Sequence, residues 1–289
     1  TCDVEKLRGL ESYHALKAIE SYSQVQATAL ICNEIGGGNS FEAMIAASSA
    51  GLNVVDGDGM GRAFPELQMK TFFIYGAPFV PMSLCDEKGN VIYITEALNA
   101  KWVERLARAA TIQMGCVAAY ALNPMSGEQI RNTAVPGTLS LTRRIGEAVR
   151  KARQKHEDPV EAILRTHPGK ILFEGKITDL ERQTTGGFAR GRVKISGLDT
   201  FLGEFLEIEF QNENLIAIQG GSILAIVPDL ICIVDTETTE PITTEMLRYG
   251  FRVKVLGFPA PTQLTTPKAL DVVGPAAFGY DMGFTPISI

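Results

Sequence analysis

Between Ala27 and Asp58 the chain alternates in a way that few folds accept. Ala27 to Cys32 is apolar and strand-like and ends at Asn33-Glu34. A glycine-rich loop comes next, Ile35-Gly36-Gly37-Gly38-Asn39-Ser40, then a helical run from Phe41 to Ala50 closed by Gly51. Asn39 or Ser40 is suited to cap that helix and Gly51 to end it. Leu52 to Val55 is a second short apolar run. Strand, loop, helix, strand is the outline of a βαβ unit, so the two strands are expected to run parallel. Parallel strands place both carboxyl ends on one sheet edge, where open α/β sheets bind ligands. Glu34 and the 36–40 loop are therefore expected beside the residues just beyond Val55.

Those residues are dense in chemistry: Asp56-Gly57-Asp58-Gly59-Met60-Gly61-Arg62-Ala63-Phe64-Pro65-Glu66. Three glycines in five residues let the backbone turn sharply or approach a ligand closely. Asp56 and Asp58 read as acid–base groups or cation ligands, with capping of their own turn as the structural alternative. Arg62 either holds an anionic or carbonyl substrate or neutralises those carboxylates. Glu34 joins the same catalytic set. Gly36, Gly37, Asn39, Ser40 and Glu66 are the expected substrate-binding residues, the glycines because a loop before a helix N-terminus can cradle an anion. The loop matches no Walker or dinucleotide pattern. No cofactor is expected. A cation beside Asp56 and Asp58, if present, would be a hard divalent ion, since imidazole and thiolate are not offered nearby.

Composition narrows the classes. At 289 residues, 45% apolar and 21% charged, the chain suits a globular protein of one large domain or two ordinary ones. A net charge of −6 argues against nucleic acid as the main partner. No run approaches the roughly 18 apolar residues of a membrane span, and no leader pattern is present. Five scattered cysteines form no CxxC pair, which fits a reducing cytoplasm. His14, His156 and His167 form no metal-binding spacing, and Cys116 reads as packing.

Along the chain, Met82–Cys85 and Val91–Ile94 read as a hairpin. Glu96 to Leu122 reads as one long Ala-rich helix with Trp102, Leu106, Ala110, Met114 and Val117 on one face. It is expected to be buried under the sheet or in a homo-oligomeric interface. Helices are expected from Thr138 or Ser140 to about His156, and after Asp158-Pro159. From Lys170 the texture changes to seven turn-separated β-type runs, ending near Leu256, with one short helical piece near Thr244–Tyr249. The expected organisation is an α/β domain over 1–169 with a parallel βαβ core, a β-rich domain over 170–264, and a tail over 265–289 packed on the first domain. The Gln211-Asn212-Glu213-Asn214 cluster and Asp229 read as structural.

The Asp56–Glu66 phrase resembles the hallmark of the S-methyl-thiohydantoin desulfurase-like family. Glu34-Ile35-Gly36-Gly37, Phe173-Glu174-Gly175-Lys176-Ile177, Gly186-Gly187-Phe188, Phe210-Gln211-Asn212-Glu213-Asn214, Val227-Pro228-Asp229-Leu230-Ile231 and Gly274-Pro275-Ala276-Ala277-Phe278-Gly279-Tyr280 agree with it. The resemblance spans essentially the whole chain. It implies an α/β N-terminal domain, a β-rich C-terminal domain and a link to hydantoin-type metabolism, and it brings no catalytic residues to transfer. Members usually begin with a further Gly-rich stretch before the Val4-Glu5-Lys6-Leu7 region, so the α/β domain is expected to be incomplete here. The resulting expectation is an enzyme that removes methanethiol from an S-methyl-thiohydantoin or acts on a similar cyclic imide or amidine. Asp56 or Asp58 would take a proton, and Arg62 with the loop amides would steady developing charge. The alternative is a non-catalytic subunit partnering a hydantoinase- or oxoprolinase-like enzyme.

Overall fold

A computed structural model describes residues 9–185 and 188–289. The Val4–Leu7 region, Cys2 and the Gly186-Gly187 part of one family motif lie outside the described residues. The chain divides into two compact units, Thr1–Leu139 and Ser140–Ile289.

The first unit combines helices with two small sheets. Helix α1 (Glu11–Ser23) precedes strand β1 (Ala29–Cys32), helix α2 (Asn39–Ala50) and strand β2 (Asn53–Asp58). β1 and β2 pair in parallel, Ala29 with Asn53 and Leu30 with Val54. A bulge then brings Cys32 opposite Asp58. β6 (Val135–Pro136) adds to β2 in the antiparallel sense, so this sheet has three strands and a single parallel pair. The α2 cap is Gly38, with no side-chain cap from Asn39 or Ser40. The Ser40 hydroxyl turns back to the Gly36 carbonyl at 2.6 Å instead. Gly51 ends α2 in the left-handed region, as expected.

A second sheet, β4-β3-β5, comprises β3 (Met82–Cys85), β4 (Val91–Ile94) and β5 (Ala119–Ala121). β3 and β4 form the expected hairpin. α1 packs on β3, β5 and α2, and Ser83 donates to the Ala15 carbonyl at 2.7 Å. The expected helix over 96–122 is shorter: α4 spans Ala100–Gln113, capped by the Asn99 side chain. Gly115 and Cys116 both take positive φ, which breaks the helix and sends the chain into β5. Its buried face is Val103, Glu104 and Ala107, with Met114 just beyond its end, while Trp102 and Leu106 are 43% and 44% exposed. A short helix α3 (Thr71–Ile74) and helix α5 (Gly127–Thr133), which carries a Ser126/Gln129 capping box, complete this unit.

In the second unit, α6 (Thr138–Lys155), whose first turn contains the division between units, and α7 (Pro159–Thr166) precede a seven-stranded sheet. The strands are β7 (Lys170–Thr185), β8 (Phe188–Gly197), β9 (Phe205–Gln211), β10 (Glu213–Gln219), β11 (Ser222–Ile226), β12 (Leu230–Asp235) and β13 (Arg252–Phe258). Their order is β11-β10-β9-β8-β7-β13-β12, every pair antiparallel. The sheet curls, because β12 also packs near β10 and β11. Alternating apolar residues fill its interior, among them Phe173, Ile177, Val193, Ile195, Leu206, Ile208 and Val255. α7 packs Val160 and Ile163 against Val234, Leu256 and Phe258, beside Ile145 and Val149 of α6. Residues 140–169 thus sit with the β-rich unit, whereas the composition change lies at 169.

The 244–249 segment is a set of turns and not a helix. Beyond residue 264 the chain forms α8 (Pro267–Val273) and a short 3-10 turn. Within this unit Asp229 holds the tail: its two oxygens accept from Ala260 N at 2.8 Å and Ile287 N at 2.6 Å. Tyr280 donates to Glu209 at 2.9 Å. Asn212, in the left-handed region, exchanges hydrogen bonds with the Ala189 backbone, and Asn214 donates to the Ile231 carbonyl. Asp229 and this polar cluster are structural in the described contacts.

Candidate functional site

The carboxyl ends of β1 and β2 lead into two loops, 33–38 and 59–70, and Asp58 ties them together. Its side chain is fully buried, and one oxygen, Oδ2, accepts from Ile35 N (2.8 Å), Met60 N (2.9 Å) and Gly61 N (2.8 Å). Burial pushes its pKa up, and the three amides pull against that shift. The Thr138 hydroxyl faces the carboxylate without completing a well-formed hydrogen bond. Asp58 Oδ1 and Thr138 Oγ1 are both buried with no hydrogen-bond partner among the described residues. This geometry is that of a loop clamp.

The glycines make the close approach feasible. A Cβ on Gly59 would sit 2.6 Å from Phe72 Cε2 and 2.8 Å from the Asn33 carbonyl, and one on Gly57 would sit 2.9 Å from the Val135 carbonyl. Gly61 has φ +67°. Gly36, Gly37 and Gly38 differ: each faces open space, and none has positive φ.

The remaining expected residues separate. The Asp56 side chain is exposed, and its backbone carbonyl accepts from Gly137 N. It does not share the Asp58 environment, because the bulge in β2 changes the pairing between them. Arg62 is buried: its Nε donates to the Ala63 carbonyl at 3.2 Å and its guanidinium lies 4.9 Å from the Phe64 ring centre. Glu66 accepts from the Gln68 side chain. Asn39 donates to Glu34, and Ser40 is buried against Gly36.

Glu34 has a different setting from Asp58. It is half-buried, accepts from the Asn39 side chain and the Phe64 amide, and feels both Lys70 and Asp58. Burial raises its pKa above the ordinary carboxylate range, with the Asn39 hydrogen bond and the Lys70 charge opposing.

Lys70 was not among the residues singled out from sequence. It is 1% exposed, one of the largest fully buried side chains among the described residues. Its ammonium lies 5.1 Å from the Tyr120 ring centre and 6.0 Å from that of Phe73. Among the described residues it makes no side-chain hydrogen bond and no ion pair within 4.0 Å. Burial lowers its pKa to about 8, against the pull of Glu34 and Glu104. Glu104 is itself buried: it accepts from Leu67 N at 2.9 Å and pairs with Arg108. Burial, then Glu34 and Glu104, push the Tyr120 hydroxyl far up. The signal in the sequence was a lysine set directly between Met69 and the apolar Phe72-Phe73-Ile74 run, just after the glycine-rich phrase.

Cys32, opposite Asp58, has its thiol pushed up to about 11 by burial and by the Asp58 charge, so it is no nucleophile at neutral pH. Cys116 has intermediate burial, and His167 stacks on Phe258 at 5.4 Å. Among the described residues no group of three or more His, Cys, Asp or Glu side chains is placed to hold a metal ion. A cleft of about 330 Å³ lies in the second unit among Ile223, Ala225, Pro286 and Ile287. Lys170 is its sole ionisable lining residue, so it offers no acid–base pair, and the Glu34–Lys70 cluster is the better candidate. No helix among the described residues is long and apolar enough to cross a membrane.

Comparison with known proteins also gives two parts, but their junction lies near residue 97, ahead of the division between the compact units at 139–140. The family described as S-Me-THD-like, N-terminal domain, matches residues 1–96, and its companion, S-Me-THD-like, C-terminal domain, matches 98–287. No curated protein matches. A crystal structure of a protein from Chromobacterium violaceum, a structural-genomics target, superposes with a TM-score of 0.79. It is 23% identical, over 97% of this chain and 78% of that one. That likeness concerns the fold alone.

Proposed function

The chain belongs to the S-Me-THD-like family, and from that premise we infer an enzyme of hydantoin-type metabolism that acts on a small cyclic imide or amidine. The reaction that fits is hydrolytic removal of the methylthio group from an S-methyl-thiohydantoin. One observation supports it above the others: a half-buried carboxylate of raised pKa, Glu34, lies in the field of a buried lysine of lowered pKa at the end of β1. The β1–α2–β2 unit is read as the parallel core that presents them.

In this reading water adds to the ring carbon that bears sulfur, and Glu34 takes the proton it releases. The π pair of the ring C=N bond passes to nitrogen, which takes the remaining hydroxyl proton as the tetrahedral carbon collapses with cleavage of its C–S bond. Glu34 returns its proton to the methanethiolate, and a ring carbonyl and N–H remain. Lys70 keeps Glu34 ionised against the cost of burial. Asp58 holds the two loops in register and touches no substrate. The reaction needs no resident cofactor, and the cellular setting that fits is the cytoplasm.

The second reading is a non-catalytic subunit for a hydantoinase-like enzyme. It draws on exposed apolar side chains at Leu98, Trp102 and Leu106, spaced four residues apart across the start of α4. We assign that stripe to contact between copies of this chain, in keeping with a homo-oligomer. Incubating the purified protein with hydantoins, thiohydantoins and their S-methyl derivatives, with thiol release as readout, separates the readings. Thiol from the S-methyl compounds supports the enzyme. No release from any of them leaves the binding subunit.

A further inference from the structure

The cleft in the second unit lies between two extended segments that do not pair with each other. One wall is β11, the outermost strand of the seven-stranded sheet, which is bonded to β10 on one side alone. The other wall is the tail over 283–288. Among the described residues no backbone hydrogen bond joins the two. The tail is pinned at Ile287, whose side chain enters the core of the curled sheet and whose amide donates to the buried Asp229 carboxylate. The gap left beside β11 is about 330 Å³, at the lower end of the range for small-molecule sites. Its lining is largely apolar, with Ile223 and Pro286 on opposite walls. The polar side chains are those of Lys170, Thr285 and Ser288, and none of them has a hydrogen-bond or ion-pair partner among the described residues. Lys170 opens β7 in register with Gly257, so its backbone is held by the sheet. Its ammonium is the one charge of the lining, in a chain of net charge −6, and no carboxylate lines the cleft to pair with it.

We propose that this cleft binds small carboxylates with an apolar body, of the kind a medium-chain alkanoate represents. The carboxylate accepts from the Lys170 ammonium and from the hydroxyls of Thr285 and Ser288, and the alkyl chain covers Ile223 and Pro286. The lining selects by charge and by polarity together. An apolar amine would meet the repulsion of Lys170, and a strongly hydrated anion such as phosphate would leave the apolar walls uncovered. With no acid–base pair in its lining, the cleft holds its ligand and does no chemistry on it. This binding does not depend on the desulfurase reading.

The test titrates the intact wild-type chain at pH 7 with octanoate and, separately, with octanol, following backbone amide shifts by NMR. Octanoate is expected to saturate with a Kd of about 1 mM or tighter and to shift the amides of Ile223, Thr285 and Ser288 most. Octanol is expected to bind at least about threefold more weakly, the worth of a partly exposed ion pair. Lys170→Met should bring octanoate to the level of octanol and leave octanol unchanged. The proposal is overturned by any of three results on the wild type: no saturable octanoate binding, octanol as tight as octanoate, or shifts centred elsewhere. An octanoate preference that survives in a folded Lys170→Met overturns it too, and if that variant does not fold the wild-type comparison decides. Methanethiol release by the same preparation is scored separately, so either reading can fail alone.

Discussion

A lysine ammonium held away from water with no ion pair costs stability, and that cost is measurable. The Lys70 pKa is about 8 when folded and about 10.4 when unfolded, so the unfolded state binds its proton more tightly. The penalty is fully present below pH 8 and disappears as pH rises towards 10.4. Lys70→Met should therefore raise unfolding free energy at pH 7 by up to about 3 kcal/mol. That gain should shrink between pH 8 and 10, as chemical denaturation across that range would show. Loss of stability in Lys70→Met would mean that the lysine is a satisfied structural residue. Asp58 should behave in the opposite way. Truncation to Ala strands three amides that now share Oδ2, and should cost about 3 kcal/mol or more in the same measurement. The importance of Asp58 was legible from sequence, because a carboxylate between glycines beyond a strand end has few bland uses. Its clamping geometry was legible as one of two alternatives. Lys70 was not singled out, since its burial comes from Tyr120 and Phe73, and Tyr120 is distant in sequence.

At the level of elements, the two glycine groups answer to different constraints. Gly59→Ala would drive a Cβ into the Phe72 ring and the Asn33 carbonyl, which also accepts the Gly59 amide. It should lower stability by about 2–3 kcal/mol. Gly37→Ala meets open space and should stay within about 0.5 kcal/mol. Equal effects in thermal melts would contradict this division. The elements themselves were read well wherever periodicity was local. The strand runs beyond Lys170 and the 82–94 hairpin obey turn residues and alternation, and both are present. The helix over 96–122 was overextended because small residues at Gly115 and Ala118 suit helix packing as well as a left-handed exit and a strand. Its inward face was misplaced for the same reason: Val103 and Ala107 go in, and the bulkier Trp102 and Leu106 face out.

For the whole molecule, the family assignment gives two domains that meet near residue 97, and packing gives two compact units that meet at 139–140: helices with small sheets in the first unit, a curled antiparallel sheet in the second. The boundary was harder to read, because α6 and α7 look like the helices before them and only their packing on Val234, Leu256 and Phe258 assigns them. The outward stripe Leu98, Trp102, Leu106 belongs to this scale too. Replacing Trp102 and Leu106 together by Glu should convert an oligomer into monomers without lowering the melting temperature, as light scattering after gel filtration would show. A wild-type monomer would remove the argument for self-association.

The central claim is that Glu34, in the field of Lys70, performs the proton transfer of thioether hydrolysis on a cyclic amidine. The direct measurement is the rate of methanethiol release from an S-methyl-thiohydantoin by the wild type and by Glu34→Gln, both checked for an unchanged melting temperature. The account predicts release by the wild type and a fall of at least 100-fold in the variant, the scale of a lost general base. Release that is undiminished in Glu34→Gln would contradict it.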